Sequence, residues 1–271
     1  DTSIDAREAL ILQTRFEGQD LQQLKKGTAS AEQVTVSFYV KGNAAALYVC
    51  ELHDVDNGRN NTQSFAVTTD WNRIELTFAA DTSDPLDDDN AVSLSLNFWL
   101  HSGSNYSGGT FASNTWADIT LANTTAVADR TSIYDSTDRT FFLTGVQMEV
   151  GSTATDFESR SFGEELALCE RYFQLVPQVG LAYAGATTTV DTCVPYRTPM
   201  RAAPTITAIA AITVTNVTAA DFAQSSANIT GSISVGASSA HLRLGNFSSL
   251  TTSDMYLCRN GDMNVAAAAE L

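Results

Sequence analysis

The sequence predicts an all-β protein: an antiparallel jelly-roll sandwich over residues 1–160, a short connecting helix within 161–177 and a second, smaller β domain over 178–271. Three observations predict it. Runs of strict apolar/polar alternation recur through the first half of the chain. Turn signals separate those runs at short intervals. A single helical pattern then interrupts the strands, and the composition changes behind it.

The strands follow in order. "LILQTRF" sets Leu10, Leu12 and Phe16 on one side. A short helical turn is expected at Asp20 to Leu24, stopped by Gly27. "VTVSFYV" places Val34, Val36, Phe38 and Val40 on one face and Thr35, Ser37 and Tyr39 on the other. "RIELTF" does the same with Ile74, Leu76 and Phe78, and "AVSLSLNFWL" with Val92, Leu94, Leu96, Phe98 and Leu100. Such alternation marks half-buried antiparallel strands. Turns fall at "DNG" (Asp56 to Gly58), "SDP" (Ser83 to Pro85) and "SGSNYSGG" from Ser102. Many short strands spaced this way argue a two-sheet jelly roll. Trp71 and Trp99 are expected beside the core.

The pattern changes at Ser161. Ser161 and Glu164 form an S-x-x-E capping box, with Glu164 and Glu165 at the positive end of the helix dipole. Leu166, Cys169 and Phe173 fall on one stripe, so a helix is expected over 162–173, packed by that stripe and limited by Pro177. Beyond it the chain is rich in Ala, Thr, Ser and Val. "TITAIAAITV", "ITGSISV", "HLRL" and "MYLC" read as strands, and Asn260-Gly261 as a two-residue hairpin turn.

Lys and Arg number 15 against 31 Asp and Glu, a formal net charge of -16. That balance opposes nucleic-acid binding and attraction to anionic membranes. No apolar run is long enough to insert in a bilayer. Cys50, Cys169, Cys193 and Cys258 match no metal-binding spacing and are expected to be reduced.

Glycan recognition would use aromatic faces flanked by amides. The polar loop "LHSGSNYSGGTFASNTW" supplies His101, Asn105, Tyr106, Asn114 and Trp116. The alternative for Trp116 is a strand start packed in the core. Tyr183, Tyr196 and Phe222 are the aromatic candidates in the C-terminal domain. "DVDNGRNN" from Asp54 and "DTSDPLDDDN" from Asp81 could offer oxygen ligands to a structural Ca2+, or be acidic hairpin turns. No other cofactor is expected. His53, His101 and His241 are isolated in sequence and no nucleophile elbow is present, so no enzyme activity is expected.

The stretch "TGVQMEVGSTATDFESRSFGEELALCERYFQ" resembles a junction of phage and prophage tail-fibre and tail-tip proteins. Gly145, Gln147, Glu149, Gly151, Ala154, Thr155, Phe157, Glu158 and Arg160 match its first part, and Glu165, Leu166, Leu168, Cys169, Arg171 and Tyr172 its second. "TRFEGQDLQQLKKGTASAEQVTVSFYVKG" and "PMRAAPTIT" agree with flanking segments of that family. Asp156 departs from it, standing where the family usually has Pro. The resemblance implies a carbohydrate-binding-module-like jelly roll followed by a tip domain, in a virion tail assembled in the host cytoplasm. The partners implied are a host cell-surface glycan or receptor and other virion tail proteins. It also implies a homotrimer, for which the small residues of 203–240 and "VAAAAEL" offer close-packing surfaces. A structural tail or neck component and a glycan-degrading enzyme are the competing readings.

Overall fold

The computed structural model describes residues 5–177, 180–216, 223–226, 228–259 and 263–270. It is all-β, and its strands fall into two compact units, one through Ser159 and one from Arg160 to Glu270.

The first unit is a two-sheet antiparallel sandwich. Its strands are β1 (Ala9–Glu17), β2 (Val34–Gly42), β3 (Ala46–Asp54), β4 (Arg59–Val67), β5 (Asn72–Phe78), β6 (Val92–Ser102), β7 (Ala117–Asp118) and β8 (Phe141–Val150). One sheet runs β1-β6-β3-β4-β7 and the other β5-β2-β8. Alternation puts Val34, Val36, Phe38, Val40 and Phe78 of the second sheet against Cys50, Leu52, Phe65, Leu94, Leu96 and Phe98 of the first. Phe38 sits at the centre, edge-on to Phe65 at 5.1 Å and to Phe98 at 4.9 Å. The expected turn at Asp20 to Leu24 is a pair of 3-10 turns, Gly18–Asp20 and Gln22–Leu24. Gly27 follows at φ +79, where a Cβ would lie 2.4 Å from the Pro85 nitrogen.

Residues 145–158 form a bulged strand end and the segment that returns to it. Gly145, at φ +60, forms a bulge in β8, where the pairing with β2 slips between Ser37 and Tyr39. Past Val150 the chain folds back along the sheet. Gln147 accepts from the Glu158 amide at 2.8 Å, and Glu149 accepts from the amide and hydroxyl of Thr155. Arg73 donates to the Thr155 carbonyl. Two alternating polar side chains of one strand thus hold its own continuation. The Thr155 hydroxyl, then Gln147, keeps the Glu149 carboxyl below its ordinary pKa.

The second unit begins with α2 (Phe162–Glu170), since α1 is a single turn at Ser104–Ser107 in the first. The capping box forms: the Ser161 hydroxyl accepts from the Glu164 amide, and Glu164 accepts from the Ser161 amide at 2.9 Å. The helix ends three residues short of the sequence expectation. Phe173–Pro177 is instead β9, because Val176 pairs with Val265 and enters the core. The remaining strands are β10 (Gly180–Ala186), β11 (Thr189–Pro195), β12 (Thr205–Ala208), β13 (Ile212–Asn216), β14 (Ala223–Ser226), β15 (Ile229–Val235), β16 (Ser239–Leu244), β17 (Met255–Arg259) and β18 (Met263–Ala268). A seven-stranded sheet runs β14-β13-β17-β10-β11-β16-β15 and a three-stranded one β12-β18-β9. The expected hairpin at Asn260-Gly261 lies outside the described residues, and its flanking strands β17 and β18 belong to different sheets.

One further expectation is corrected. The stripe of Leu166, Cys169 and Phe173 is exposed, and the buried residue of α2 is Glu170. Glu170 accepts from Arg197 at 2.9 Å, while Gln174 donates to the Glu170 carbonyl at 2.9 Å, so this side of the helix docks through polar contacts. Ala182, Ala184, Ala240 and Ala267 are buried, the first three among Val190, Leu242, Leu244 and Tyr256, while Ala203, Ala211, Ser232, Ser234 and Ala237 are exposed. Among the described residues no disulfide joins any of the four cysteines.

Candidate functional site

The five-stranded sheet turns its second face away from the core, and that face is polar and deep. Register builds three cross-strand rows on it. Gln13, Asn97, Glu51 and Thr62 form the middle row; Ile11, Trp99, Val49 and Ser64 lie on one side, and Arg15, Ser95, His53 and Asn60 on the other. Ser95, Asn97, Trp99 and His101 of β6 are buried although they point away from the core; Tyr106 lies against Trp99, and Ser132 and Tyr134 against His101.

Glu51 is the hub, at 3 % exposure. Its carboxylate accepts from Asn60 at 2.7 Å, from Asn97 at 2.9 Å and from the Trp99 indole N–H at 2.7 Å. Charge-assisted N–H bonds of this kind offset the cost of burying a carboxylate. The network continues outward: Gln13 donates to the Asn97 side-chain carbonyl at 2.9 Å, and Arg15 to Gln13 at 2.8 Å. The Trp99 ring meets Tyr106, from α1, at 5.2 Å and a 49° tilt. Toward β7, Asn60, Thr62, Thr115, Thr120 and Asn123 line a small pit of about 40 Å³. The arrangement is a set of amides and an aromatic pair held around one buried carboxylate, with Gln13 exposed and Asn60 partly exposed at its margin. Glu51 is the single carboxylate of the three rows, whereas glycoside cleavage ordinarily uses two.

The residues expected from the loop divide between this face and other tasks. Tyr106 joins it. His101 is buried, its Nδ1 2.8 Å from the Ser132 hydroxyl and its ring against Tyr134; burial, then the Arg130 charge, pushes its pKa down. Asn105 is exposed on α1, and its backbone N–H donates to the Ala6 carbonyl at 3.0 Å. Asn114, at φ +55, accepts from the Ala79 amide at 2.8 Å. Trp116 packs on the core and donates to the Ala79 carbonyl at 2.7 Å, which is its structural alternative. Asn114 and Trp116 thus both tie the loop to the end of β5.

In the second unit, Tyr183 lies on the outer face of the seven-stranded sheet. It shares an open concavity of about 390 Å³ with Leu181, Cys193, His241 and Met255. Tyr196 packs against the core instead, with its hydroxyl buried and its pKa raised by that burial. Phe222 lies outside the described residues.

The two acidic stretches offered to Ca2+ do converge, on an internal ammonium. Lys26 Nζ lies 2.5 Å from Asp54, 3.1 Å from Asp81, 3.0 Å from the Ser83 carbonyl and 2.7 Å from the Asp84 carbonyl. Arg59 bonds Asp81 at 3.1 Å, and the Trp116 ring lies 5.5 Å from Lys26 Nζ. Burial alone would raise the Asp81 pKa; the Arg59 guanidinium, the Ser83 amide and Lys26 outweigh it and hold the carboxyl below its ordinary range. The lysine thus occupies the centre that those oxygens surround.

Gln13, Glu51, Asn60, Asn97 and Trp99 were not singled out from sequence. Their signal is a Glu and an Asn at outward positions of otherwise apolar strands, "VCELH" and "SLNFW". Only the register shows that the two meet. No protein-family model matches the chain, and no curated protein matches it.

Proposed function

We propose that this chain is a phage tail-fibre or tail-tip protein that binds a host cell-surface glycan without cleaving it, through a jelly-roll-type module in its first unit. The observation that carries the reading is the Glu51-centred array. A buried carboxylate holds two amides and an indole in fixed geometry, with Gln13 and Tyr106 at their margin. Sugars are bound by such preorganised planar groups, because little rotamer entropy remains to be lost. The tail-fibre-like motif of residues 144–174 supports the virion setting. A structural tail component is the second reading, and the exposed Phe162, Leu166 and Leu168 of α2 favour it as assembly contacts.

Adsorption of the purified chain to susceptible cells, with a glycan array to identify the sugar, tests the proposal. Gln13→Ala should weaken binding at least tenfold at unchanged melting temperature, whereas Asn60→Ala, which also removes a hydrogen bond from buried Glu51, should lower both affinity and melting temperature. Absence of adsorption, together with failure to compete with particle adsorption, would leave the structural reading. Release of reducing ends from host polysaccharide would favour an enzyme.

A further inference from the structure

The opposite sheet of the first unit breaks its own pattern at one end. Its outer face is polar along most of β2, β5 and β8, where Thr35, Ser37, Thr77, Glu75, Gln147 and Glu149 lie. At the end near Gly42 it carries a cross-strand row of aromatic, cation and aromatic: Trp71, immediately before β5, then Lys41 on β2, then Phe142 on β8. Trp71 is 46 % exposed and Phe142 is 49 % exposed. Lys41 Nζ lies 5.1 Å from one ring centroid and 5.3 Å from the other. Among the described residues it has no ion-pair partner. Trp71, expected beside the core, is thus a surface residue.

We propose that this row is a binding site for an acidic saccharide, distinct from the polar face of the other sheet. Three features select that ligand. Exposed ring faces take the apolar C–H face of a pyranose, as they take other flat apolar surfaces. The rings stand two inter-strand steps apart, about 10 Å, which is the reach of two linked sugar rings. Between them stands a lysine with no ion-pair partner among the described residues, in a chain of net charge -16, so the patch selects a carboxylate against the field of its own protein. The lysine stem is flexible enough to move from a ring face to a carboxylate with no backbone change. A neutral glycan would use the rings and leave the ammonium without its partner.

Binding of the whole chain to four probes tests this: oligogalacturonate, alginate and hyaluronan oligosaccharides, and sialyllactose, each beside its carboxyl-reduced form. At least one acidic probe should bind tenfold or more tightly than its neutral form, and more weakly as salt rises. Trp71→Ala should lower that affinity at least tenfold. Lys41→Met should abolish the acidic preference, and Lys41→Arg should keep it. Melting temperatures and circular dichroism establish that each variant is folded. Gln13→Ala with Asn60→Ala should leave the acidic probe bound, which separates this site from the polar face. The proposal is overturned if no probe binds, if acidic and neutral forms bind alike, or if folded Trp71→Ala binds as the wild type does. It is equally overturned if Trp71→Ala abolishes self-association instead, which would assign the row to a second copy of the chain.

Discussion

Lys26 is the residue on which the most buried charge depends. It pairs with Asp54 and, beside Arg59, with Asp81, both nearly inaccessible, and also holds two backbone carbonyls. Removing one member of a buried ion pair leaves the other charge stranded, at about 3–5 kcal/mol. Lys26→Met should therefore lose about that much in urea denaturation at pH 7, far more than an exposed Lys25→Met control. The Asp81 carboxyl adds a pH dependence. Its folded pKa is depressed, so its stabilisation is complete above the unfolded value of about 4 and is lost as pH falls through the lower folded value. Denaturation at pH 3 should therefore show a smaller difference between Lys26→Met and wild type than at pH 7. An undiminished difference at pH 3 would contradict the charge account. The sequence showed two acidic stretches with suitable oxygens; that a lysine some thirty residues upstream would enter their centre was not legible, since nothing local aims its side chain there.

Among the elements, β8 and its continuation show how a sequence motif becomes geometry. Gly145 takes φ +60 at the bulge, and a Cβ there would approach the Tyr39 ring to 3.1 Å. Gly145→Ala should cost about 1–3 kcal/mol, measured as a lower urea midpoint with unchanged slope. An unaltered midpoint would mean that the bulge adapts freely. The alternation of Gln147 and Glu149 was legible as a strand face, but their role in holding residues 155–158 was not, because the segment they bind returns only after the turn at Gly151. Helix α2 reverses the case. Its N-terminal cap was readable because a capping box is local. Its end and its buried side were misread, because β9 owes its strand conformation to pairing with β18, far away in sequence.

For the whole molecule, homotrimer formation stands as a proposal. Ala182, Ala184 and Ala240 pack the second unit's own core, whereas Ala203, Ala211, Ser232, Ser234 and Ala237 lie exposed and offer small surfaces to a neighbouring copy. Further support comes from apolar side chains left outside, chiefly Phe162 at 82 % exposure with Leu166 and Leu168 on the same helix. Burying such side chains between copies contributes about 25 cal/mol per Å² of apolar area, and three copies would multiply weak sugar contacts. Light scattering at micromolar concentration should give three times the chain mass, and Phe162→Ser with Leu166→Ser should lower it. A monomeric mass for the intact, folded wild type would end the trimer proposal.

The sequence by itself determined what depends on near neighbours: the all-β class, the inward faces of β2, β5 and β6, the capped start of α2 and the turns between strands. Period-two alternation and capping chemistry act over a few residues, so they can be read directly. Tertiary structure decided what depends on which strands become neighbours. Register alone brought Glu51 beside Asn97, and Trp71 and Phe142 to either side of Lys41. Trp99 and His101 on the outward face of β6 are buried because Tyr106, Ser132 and Tyr134, from segments after the strand, pack against them. The aromatic loop that looked like a binding site is largely spent on anchoring itself, while both proposed binding surfaces lie on the outer faces of sheets, where distant segments meet.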